Sequence, residues 1–215
     1  MIFSVEVANL SHFQYATTIC QMMEDAAKIR GTGIAKRQPE YICKKMEEGK
    51  AVIALHQDRV VGFCYIEDWE NQKYVANSGL IVHPDFRQFG LAKLIKQATF
   101  RLSKEKFPQA KLFGITTSLA VMKINSDLGY QPVTFSELTQ DETFWKGCQS
   151  CKNYDILQRT ERKMCLCTGM VCDLAQIPAS DTVQKKTLWT ALSKSVKNKK
   201  FALNNNLFLK KSNEQ

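Results

Sequence analysis

Hydrophobic and polar positions follow two different periods along most of the chain, and this predicts strands interleaved with helices. Short runs rich in β-branched and aromatic residues, typical of strands, occupy residues 2–8, 51–55, 60–66, 74–82 and 111–117. Apolar residues recur at helical spacing in segments that begin near Ser11, Pro39, Gly90 and Leu119. The order predicts an α/β (α+β) fold, with a mixed, partly antiparallel sheet and flanking helices.

A strand that runs into the helix beginning at Gly90 is the feature with the clearest chemistry. The first N–H groups of a helix have no partner within it and carry the positive end of its dipole. A turn without a side chain at Gly90 lets a phosphate approach them, and Ala92 keeps a nearby position small. The pattern predicts an anion site, with an ordinary tight turn as the alternative. The outer face of this helix is expected to carry Lys93, Lys96, Arg101 and Lys104.

The motif Val-x-Pro-x-x-Arg-x-x-Gly-x-Ala at residues 82–92 resembles the pyrophosphate loop of the GCN5-related N-acetyltransferases, the GNAT family. Leu-Gly-Tyr at residues 128–130 is similar to the Leu-Gly-Phe signature of that family, and the resemblance extends over residues 1–138. It implies the GNAT fold, a mostly antiparallel sheet of about seven strands. It also implies acetyl-CoA or another acyl-CoA as cosubstrate and transfer of an acetyl or succinyl group to an amine, which attacks the thioester directly.

The resemblance assigns cosubstrate contacts to residues of this chain. The end of the fourth strand would pair with the pantetheine amides, and the turn and helix start would hold the diphosphate. These positions are Ile81, Val82, Arg87, Gln88, Phe89, Gly90, Leu91 and Ala92. Asn125 occupies the place where the family commonly has a tyrosine that protonates the departing thiolate. Asparagine can donate a hydrogen bond but is no acid near neutral pH, so it is expected to orient CoA.

The catalytic residues stay open at this point. The acceptor amine must lose a proton, and the acids Glu67, Asp68 and Glu70 precede the fourth strand, where a chain of waters could connect one of them to the amine. Each can equally be a solvated surface acid. The catalytic candidates are therefore Glu67, Glu70 and Asn125.

A loop with two glycines, residues 31–37, separates the first two helices, and the resemblance implies that it overhangs the acceptor. Arg30, Lys36 and Arg37 would supply cations there, and the planar fork of arginine suits a carboxylate. The alternative is that they keep a surface loop soluble. This loop and the segment 144–172 resemble an N-acetylglutamate synthase-like subgroup from Bacteroidetes that is associated with arginine biosynthesis. That resemblance implies an amino acid acceptor, with glutamate as the first guess.

The segment 144–172 is rich in cysteine. Cys148 and Cys151 are spaced C-x2-C, whereas Cys165 and Cys167 are spaced C-x-C, which on a strand puts both thiols on one face. Four soft ligands predict a structural zinc or an iron-sulfur site. Buried free thiols at Cys165 and Cys167 and a redox pair at Cys148 and Cys151 are the alternatives. Residues 153–157 and 164–172 are expected to form closing strands.

The net charge of +9 is concentrated at the end of the chain, because residues 182–215 hold eight lysines and one glutamate. We expect an acyltransferase domain at 1–174 and a basic tail at 175–215, with a short helix near 188–196. Contact with nucleic acid is not expected, and a homodimer through the tail stays open. No apolar run is long enough for a membrane span and no secretion signal is visible, which favours the cytoplasm.

Two other function classes stay open. A non-catalytic acyl-CoA-binding regulatory protein would explain Asn125 and the missing base. A protein N-acetyltransferase would give a role to the lysine-rich tail.

Overall fold

Seven strands form one sheet with helices on both faces. The computed structural model describes residues 1–30 and 36–178. By its internal contacts the chain divides into residues 1–175 and 176–215. The helix expected near 188–196 lies outside the described residues. The strands are β1 (Ser4–Val7), β2 (Ala51–His56), β3 (Arg59–Trp69), β4 (Tyr74–Val82), β5 (Lys111–Thr116), β6 (Gln131–Val133) and β7 (Thr168–Asp173).

The helices connect these strands in the predicted order. They are α1 (Ala16–Arg30), α2 (Pro39–Glu47), α3 (Leu91–Lys106), α4 (Leu119–Ser126), α5 (Glu142–Lys146) and α6 (Tyr154–Arg159). Short 3-10 turns occupy Leu10–Tyr15, Pro84–Phe86, Phe135–Glu137 and Leu174–Gln176. Pro39 begins α2, where its missing N–H costs nothing. Among the described residues, no helix combines the length and the apolar character that a membrane crossing requires.

The strand order is β1-β2-β3-β4-β5-β7-β6. All neighbouring strands are antiparallel except β4 and β5, which are parallel. This confirms the predicted mixed, mostly antiparallel sheet of seven strands flanked by helices. The parallel pair arises because α3 carries the chain from the end of β4 back to the start of β5.

The two faces of the sheet are covered by different helices. Helices α1 and α2 pack on the face that carries Phe63 and Tyr65 of β3, and they bury a cluster that includes Ile19, Met23, Ile42 and Met46. Helix α3 packs on the other face. A Cβ on Gly62 of β3 would lie 2.4 Å from Cδ1 of Ile95, so this close approach of helix and strand requires a glycine.

Lys96 is not on the outer face of α3, contrary to the prediction. Its side chain is 3% exposed, and its ammonium lies 5.3 Å from the ring centroid of Tyr130. Lys96 directly follows the buried Ile95, so the buried face of α3 is wider than the positions of its hydrophobic residues indicate.

Residues 134–167 form a helical cap instead of the expected strands. Helix α6 occupies the region predicted as a strand at 153–157, because Leu157 is buried one helical turn after Tyr154, which packs beside it. The second expected strand starts only at Thr168. Glu161 and Arg162 have φ values of 50° and 64°, a left-handed conformation that turns the chain and prevents an earlier extended start.

Candidate functional site

β4 and β5 separate in the middle of the sheet. They pair only from Tyr74 to Ala76 with Lys111 to Phe113, although β4 continues to Val82 and β5 to Thr116. β4 is the central strand, yet its residues 77–80 are only half-buried. The facing backbone groups beyond Ala76 therefore border an open groove. Such an edge can hydrogen-bond an extended chain that carries amides.

A β-bulge shapes this groove. The register between β3 and β4 shifts by one residue between Phe63 and Tyr65. Gly79, opposite this shift, has a φ of 64°, and a Cβ there would lie 2.3 Å from Cε1 of Tyr65. A bulge re-aims the backbone next to it, here in the part of β4 that faces the groove.

The turn from β4 to α3 brings the predicted cosubstrate residues together. Gly90 immediately precedes α3 with φ 73° and ψ 8°, and its carbonyl accepts the first helical hydrogen bond, from Leu94 N at 3.2 Å. A Cβ on Gly90 would meet no atom within 4 Å, so the space before the first turn of the helix is open. The Nε of Arg87 donates to the carbonyl oxygen of Val82 at 3.4 Å and holds the turn against the strand.

The free amides of this turn can bind an anion. Gln88 also has a positive φ, of 71°, so two of the three residues just before the helix are in a left-handed conformation. Successive N–H groups in such a turn form a concave anion site, and the 16-residue helix adds the positive end of its dipole. Residues 87–90 are exposed, so a phosphate can reach them. Ile81 and Val82 are buried at the end of β4, where they pair with Phe63 and Gly62 of β3.

Helix α4 places Asn125 against the open part of β5. Its side chain is 2% exposed, and its Nδ2 lies 4.0 Å from the position of a Cβ on Gly114. Nδ2 donates to the sulfur of Met170 at 3.7 Å, a long and weak contact. Asn125 therefore lies next to the groove, at the level where β4 and β5 begin to separate.

A group of polar residues lies on the face of the sheet that α1 and α2 cover, beside the point where β4 and β5 separate. The hydroxyl of Tyr41 donates to Oε1 of Glu67. The guanidinium of Arg37 donates from Nε to the hydroxyl of Tyr65 at 3.0 Å, and its Nη2 lies 3.8 Å from Glu67. Burial, together with the charge of Glu67, raises the pKa of both tyrosines, so they remain protonated donors at neutral pH.

The other predicted acceptor and catalytic residues lie elsewhere. Arg30 is the last residue of α1 and not part of the loop, and residues 31–35 are outside the described part of the chain. Lys36 is exposed. Glu70 accepts hydrogen bonds from Thr139 Oγ1 at 2.7 Å and from the N–H of Gln140 at 2.9 Å, so its carboxylate anchors a loop.

Sequence reasoning missed Tyr41 and Tyr65. Tyr65 had a signal, because the period of two on a strand puts it on the same face as Glu67. Tyr41 had none, because nothing in the sequence pairs a residue of α2 with one of β3.

The structure gathers the four cysteines of the predicted metal site but does not arrange them as one. Cys148, Cys151, Cys165 and Cys167 are free thiols that line one cavity of about 20 Å³. Burial and the neighbouring thiols raise the pKa of Cys148 to about 11 and that of Cys167 to about 12. In residues 1–30 and 36–178, no group of three or more histidine, cysteine or acidic side chains could hold a metal ion.

The expected structural zinc or iron-sulfur centre is therefore not supported. The reasoning from spacing assumed that Cys165 and Cys167 lie on a strand, with both thiols on one face. Both residues instead precede β7 in an irregular segment.

A wider cavity, of about 840 Å³, lies beside α5 and α6. Arg162 in its lining is held by two hydrogen bonds to Glu142, at 2.6 and 2.7 Å. The groove offers backbone amides and the N-terminus of a 16-residue helix, whereas Arg162 and Lys163 in the wider cavity are already paired with Glu142 and Glu161. The groove is therefore the candidate functional site.

Comparison with known proteins agrees with this geometry. The family model described as the acetyltransferase (GNAT) family matches residues 20–118, which span α1 to β5 and include the turn at Gly90. No curated protein sequence gives a significant match to the chain.

Solved structures share the fold at low sequence identity. Rv2747 from Mycobacterium tuberculosis, in complex with CoA, has a TM-score of 0.57 at 14% identity over 79% of this chain and 98% of its own. The acetyltransferase yncA from Salmonella typhimurium, described as putative and solved with acetyl-CoA, has a TM-score of 0.56 at 13% identity over 83% and 98%.

A third solved structure is longer than this chain. N-acetylglutamate synthase from Neisseria gonorrhoeae, with coenzyme A and N-acetyl-glutamate, has a TM-score of 0.54 at 15% identity over 81% of this chain but 35% of its own. The GNAT family model thus matches residues 20–118, a little under half of the chain, and the three solved structures share the fold of this chain.

Proposed function

We propose that this protein transfers the acetyl group of acetyl-CoA to the amine of a small amino acid that carries an extra carboxylate, with glutamate as the first candidate. Succinyl-CoA is the alternative donor. The observation that carries the proposal is the position of Arg37 and Glu67 beside the start of the groove, where the thioester of a bound acyl-CoA would lie. One residue is a cation for a carboxylate and the other is a base for an amine.

The geometry supports the following reaction. The amides of the turn before α3 hold the diphosphate, and the pantetheine lies in the groove with its amides paired to β4. The amine nitrogen attacks the thioester carbon, the C–N bond forms and the C–S bond breaks. Glu67 accepts the proton of the amine, directly or through a water, and CoA leaves as a thiolate that solvent protonates. Backbone N–H groups near the bulge at Gly79 stabilise the oxyanion.

Glutamate is favoured by charge and by one of the compared structures. Arg37 donates from Nε to Tyr65 at 3.0 Å and from Nη1 to the carbonyl oxygen of Lys36 at 3.4 Å, and its Nη2 lies 3.8 Å from Glu67, so each of the two Nη atoms keeps an N–H for a second carboxylate. The solved N-acetylglutamate synthase contains N-acetyl-glutamate on a related fold. A role in arginine biosynthesis, in the cytoplasm, follows as part of this proposal. The binding partner is then a small molecule.

The proposal is tested by measuring release of the CoA thiol. Acetyl-CoA and succinyl-CoA are each offered with glutamate, glutamine, aspartate, lysine and a lysine-containing peptide. Glutamate is expected to give the highest kcat/KM, and Arg37→Met is expected to raise its KM about ten- to hundredfold because a charged hydrogen bond is lost. Lys36→Met, at an exposed position, is the matched control and should change little.

Two results would count against this assignment. Equal turnover of glutamate and glutamine would remove the role of the carboxylate. Preferential acetylation of the peptide would indicate a protein acceptor.

A further inference from the structure

Lys45 of α2 lies next to the polar residues that are proposed to bind the acceptor. It follows Tyr41 by four positions, so both side chains lie on the same face of the helix. Its side chain is half-buried, and among the described residues it forms no ion pair, whereas Lys44 and Lys50 pair with Glu48 at 4.0 and 3.5 Å. A half-buried ammonium without a carboxylate partner has an unused capacity to bind one.

The ammonium of Lys45 lies close to the group that would take the proton of the amine. Its Nζ is 5.2 Å from the centre of the Tyr41 ring, and the hydroxyl of that ring donates to Glu67. Burial lowers the pKa of Lys45, and the charge of Glu67 nearby acts in the opposite direction. Lys45 therefore belongs to the same charged site as Glu67 and keeps its own donors for a further anion.

Arg37 is the second cation at this site, and both cations lie beside one ring. The Cζ of Arg37 is 5.1 Å from the centre of the Tyr41 ring, a distance similar to that of Lys45. The two charges are therefore separated by no more than about twice this distance. In glutamate three carbon atoms separate the two carboxylates, and with a hydrogen bond of about 2.8 Å at each end the molecule can bridge two cations at such a separation.

We propose that Lys45 binds the α-carboxylate of the acceptor amino acid, while Arg37 binds its second carboxylate. The amine and the α-carboxylate share one carbon atom, so an ammonium close to Glu67 lies where the α-carboxylate must be when Glu67 receives the amine proton. The inference rests on the proposed function and adds one requirement to it, which is a free α-carboxylate. It restricts the acceptor to a free amino acid and excludes the N-terminus of a peptide, where that carboxylate is part of an amide bond.

The substitution Lys45→Met tests this assignment, because it keeps most of the side-chain length and removes the charge. Release of the CoA thiol from acetyl-CoA is measured with glutamate, with glutamate whose α-carboxylate is converted to an amide, and with glutamine. For the unchanged protein we expect a kcat/KM for glutamate about ten- to hundredfold above that of each amide. In Lys45→Met the preference over the α-amide should fall below about threefold through a higher KM for glutamate, whereas the preference over glutamine should be kept.

Two further variants separate binding of the carboxylate from a structural role. Lys44→Met removes an exposed lysine at the adjacent position and should keep both preferences. Lys45→Arg keeps a cation and should retain part of the preference for the free α-carboxylate. The melting temperature and the KM for acetyl-CoA should stay near the parent values in all three variants, since Lys45 is expected to contact the acceptor alone. The comparison of glutamate with its α-amide in the unchanged protein needs no variant, so it can refute the inference even if Lys45→Met is unstable.

Three results would overturn the inference while the proposed function stands. These are equal turnover of glutamate and its α-amide by the unchanged protein, an unchanged preference over the α-amide in Lys45→Met, and loss of the preference over glutamine in its place. Absence of glutamate turnover by the unchanged protein is a different result, because it would refute the proposed function and the inference with it.

Discussion

Glu67 on β3 lies directly opposite Ala76 on β4, and Ala76 is the last residue of β4 that pairs with β5. The carboxylate is thus placed beside the point where the two strands separate. The hydroxyl of Tyr41 donates to this carboxylate, and Nη2 of Arg37 lies 3.8 Å from it. A carboxylate at this point is placed to accept the proton of an amine bound there.

Glu67→Gln is expected to lower kcat about 10²- to 10³-fold, because an amide cannot take the proton of the amine. The KM for acetyl-CoA should not change, since the substitution keeps the shape of the side chain. Steady-state kinetics with the best acceptor measure both constants. Asp68→Asn is the matched control, because Asp68 is the next residue of β3 and is paired with Lys50 at 2.8 Å. A kcat within threefold of the parent value would remove Glu67 from the mechanism.

Gly90 and Gly79 both have positive φ, yet alanine should act differently at the two positions. At Gly90 the new Cβ enters open space before α3, so we expect about 1 kcal/mol of backbone strain and a clear loss of CoA affinity. At Gly79 the Cβ would overlap Tyr65 in the core, and we expect about 3 kcal/mol or more of lost stability. Urea unfolding and calorimetry with CoA separate the effects. Unchanged CoA affinity in Gly90→Val would contradict the anion site.

Lys96 should make the stability of the protein depend on pH at alkaline values. Burial lowers its pKa from 10.5 to about 8. Between these values the unfolded chain holds a proton that the folded chain does not, so the free energy of unfolding rises with pH. The advantage of Lys96→Met over the parent should be largest below pH 8 and shrink by about 3 kcal/mol by pH 10.5. Urea unfolding at pH 7 and 10.5 measures this, and a constant difference would mean that Lys96 is not desolvated.

The thiols of Cys148 and Cys167 should react slowly at neutral pH. Their raised pKa values, about 11 and about 12, leave few thiolates, and alkylation should accelerate about tenfold for each unit of pH below those values. Peptide mapping by mass spectrometry after brief iodoacetamide treatment follows each site. If both thiols are instead protected from alkylation at every pH, and a chelator removes this protection, they are not free thiols and a metal is bound.

The turn before α3 was predictable because its signals are local. Val82, Pro84 and Gly90 mark the end of a strand, a turn and the start of a helix within nine residues, and the apolar stripe of α3 follows directly. Chain order and period were enough to predict most strands and helices up to residue 133. The family resemblance then indicated what the turn would bind.

The remaining features depend on contacts between distant segments. Tyr41 and Glu67 are separated by 26 positions, and the cap over residues 134–167 depends on aromatic packing around Trp145. The turn at Glu161 and Arg162 contains no glycine, so nothing indicated a left-handed conformation there. The burial of Lys96 was not predicted for another reason. A charged side chain is expected to be exposed to solvent, whereas the neighbours of Lys96 in the fold, Cys64 and Tyr130, are apolar.

The short pairing between β4 and β5 also has a consequence for how the sheet coheres. Only three residue pairs join β4 to β5, and these pairs link β1–β4 to β5–β7. Every other pair of neighbouring strands shares four or more residue pairs, except β7 with the short β6. A cosubstrate bound between β4 and β5 would contact both strands and would link the two parts of the sheet as an additional strand does. Each round of acyl transfer would then stiffen the centre of the sheet on loading and loosen it when CoA departs.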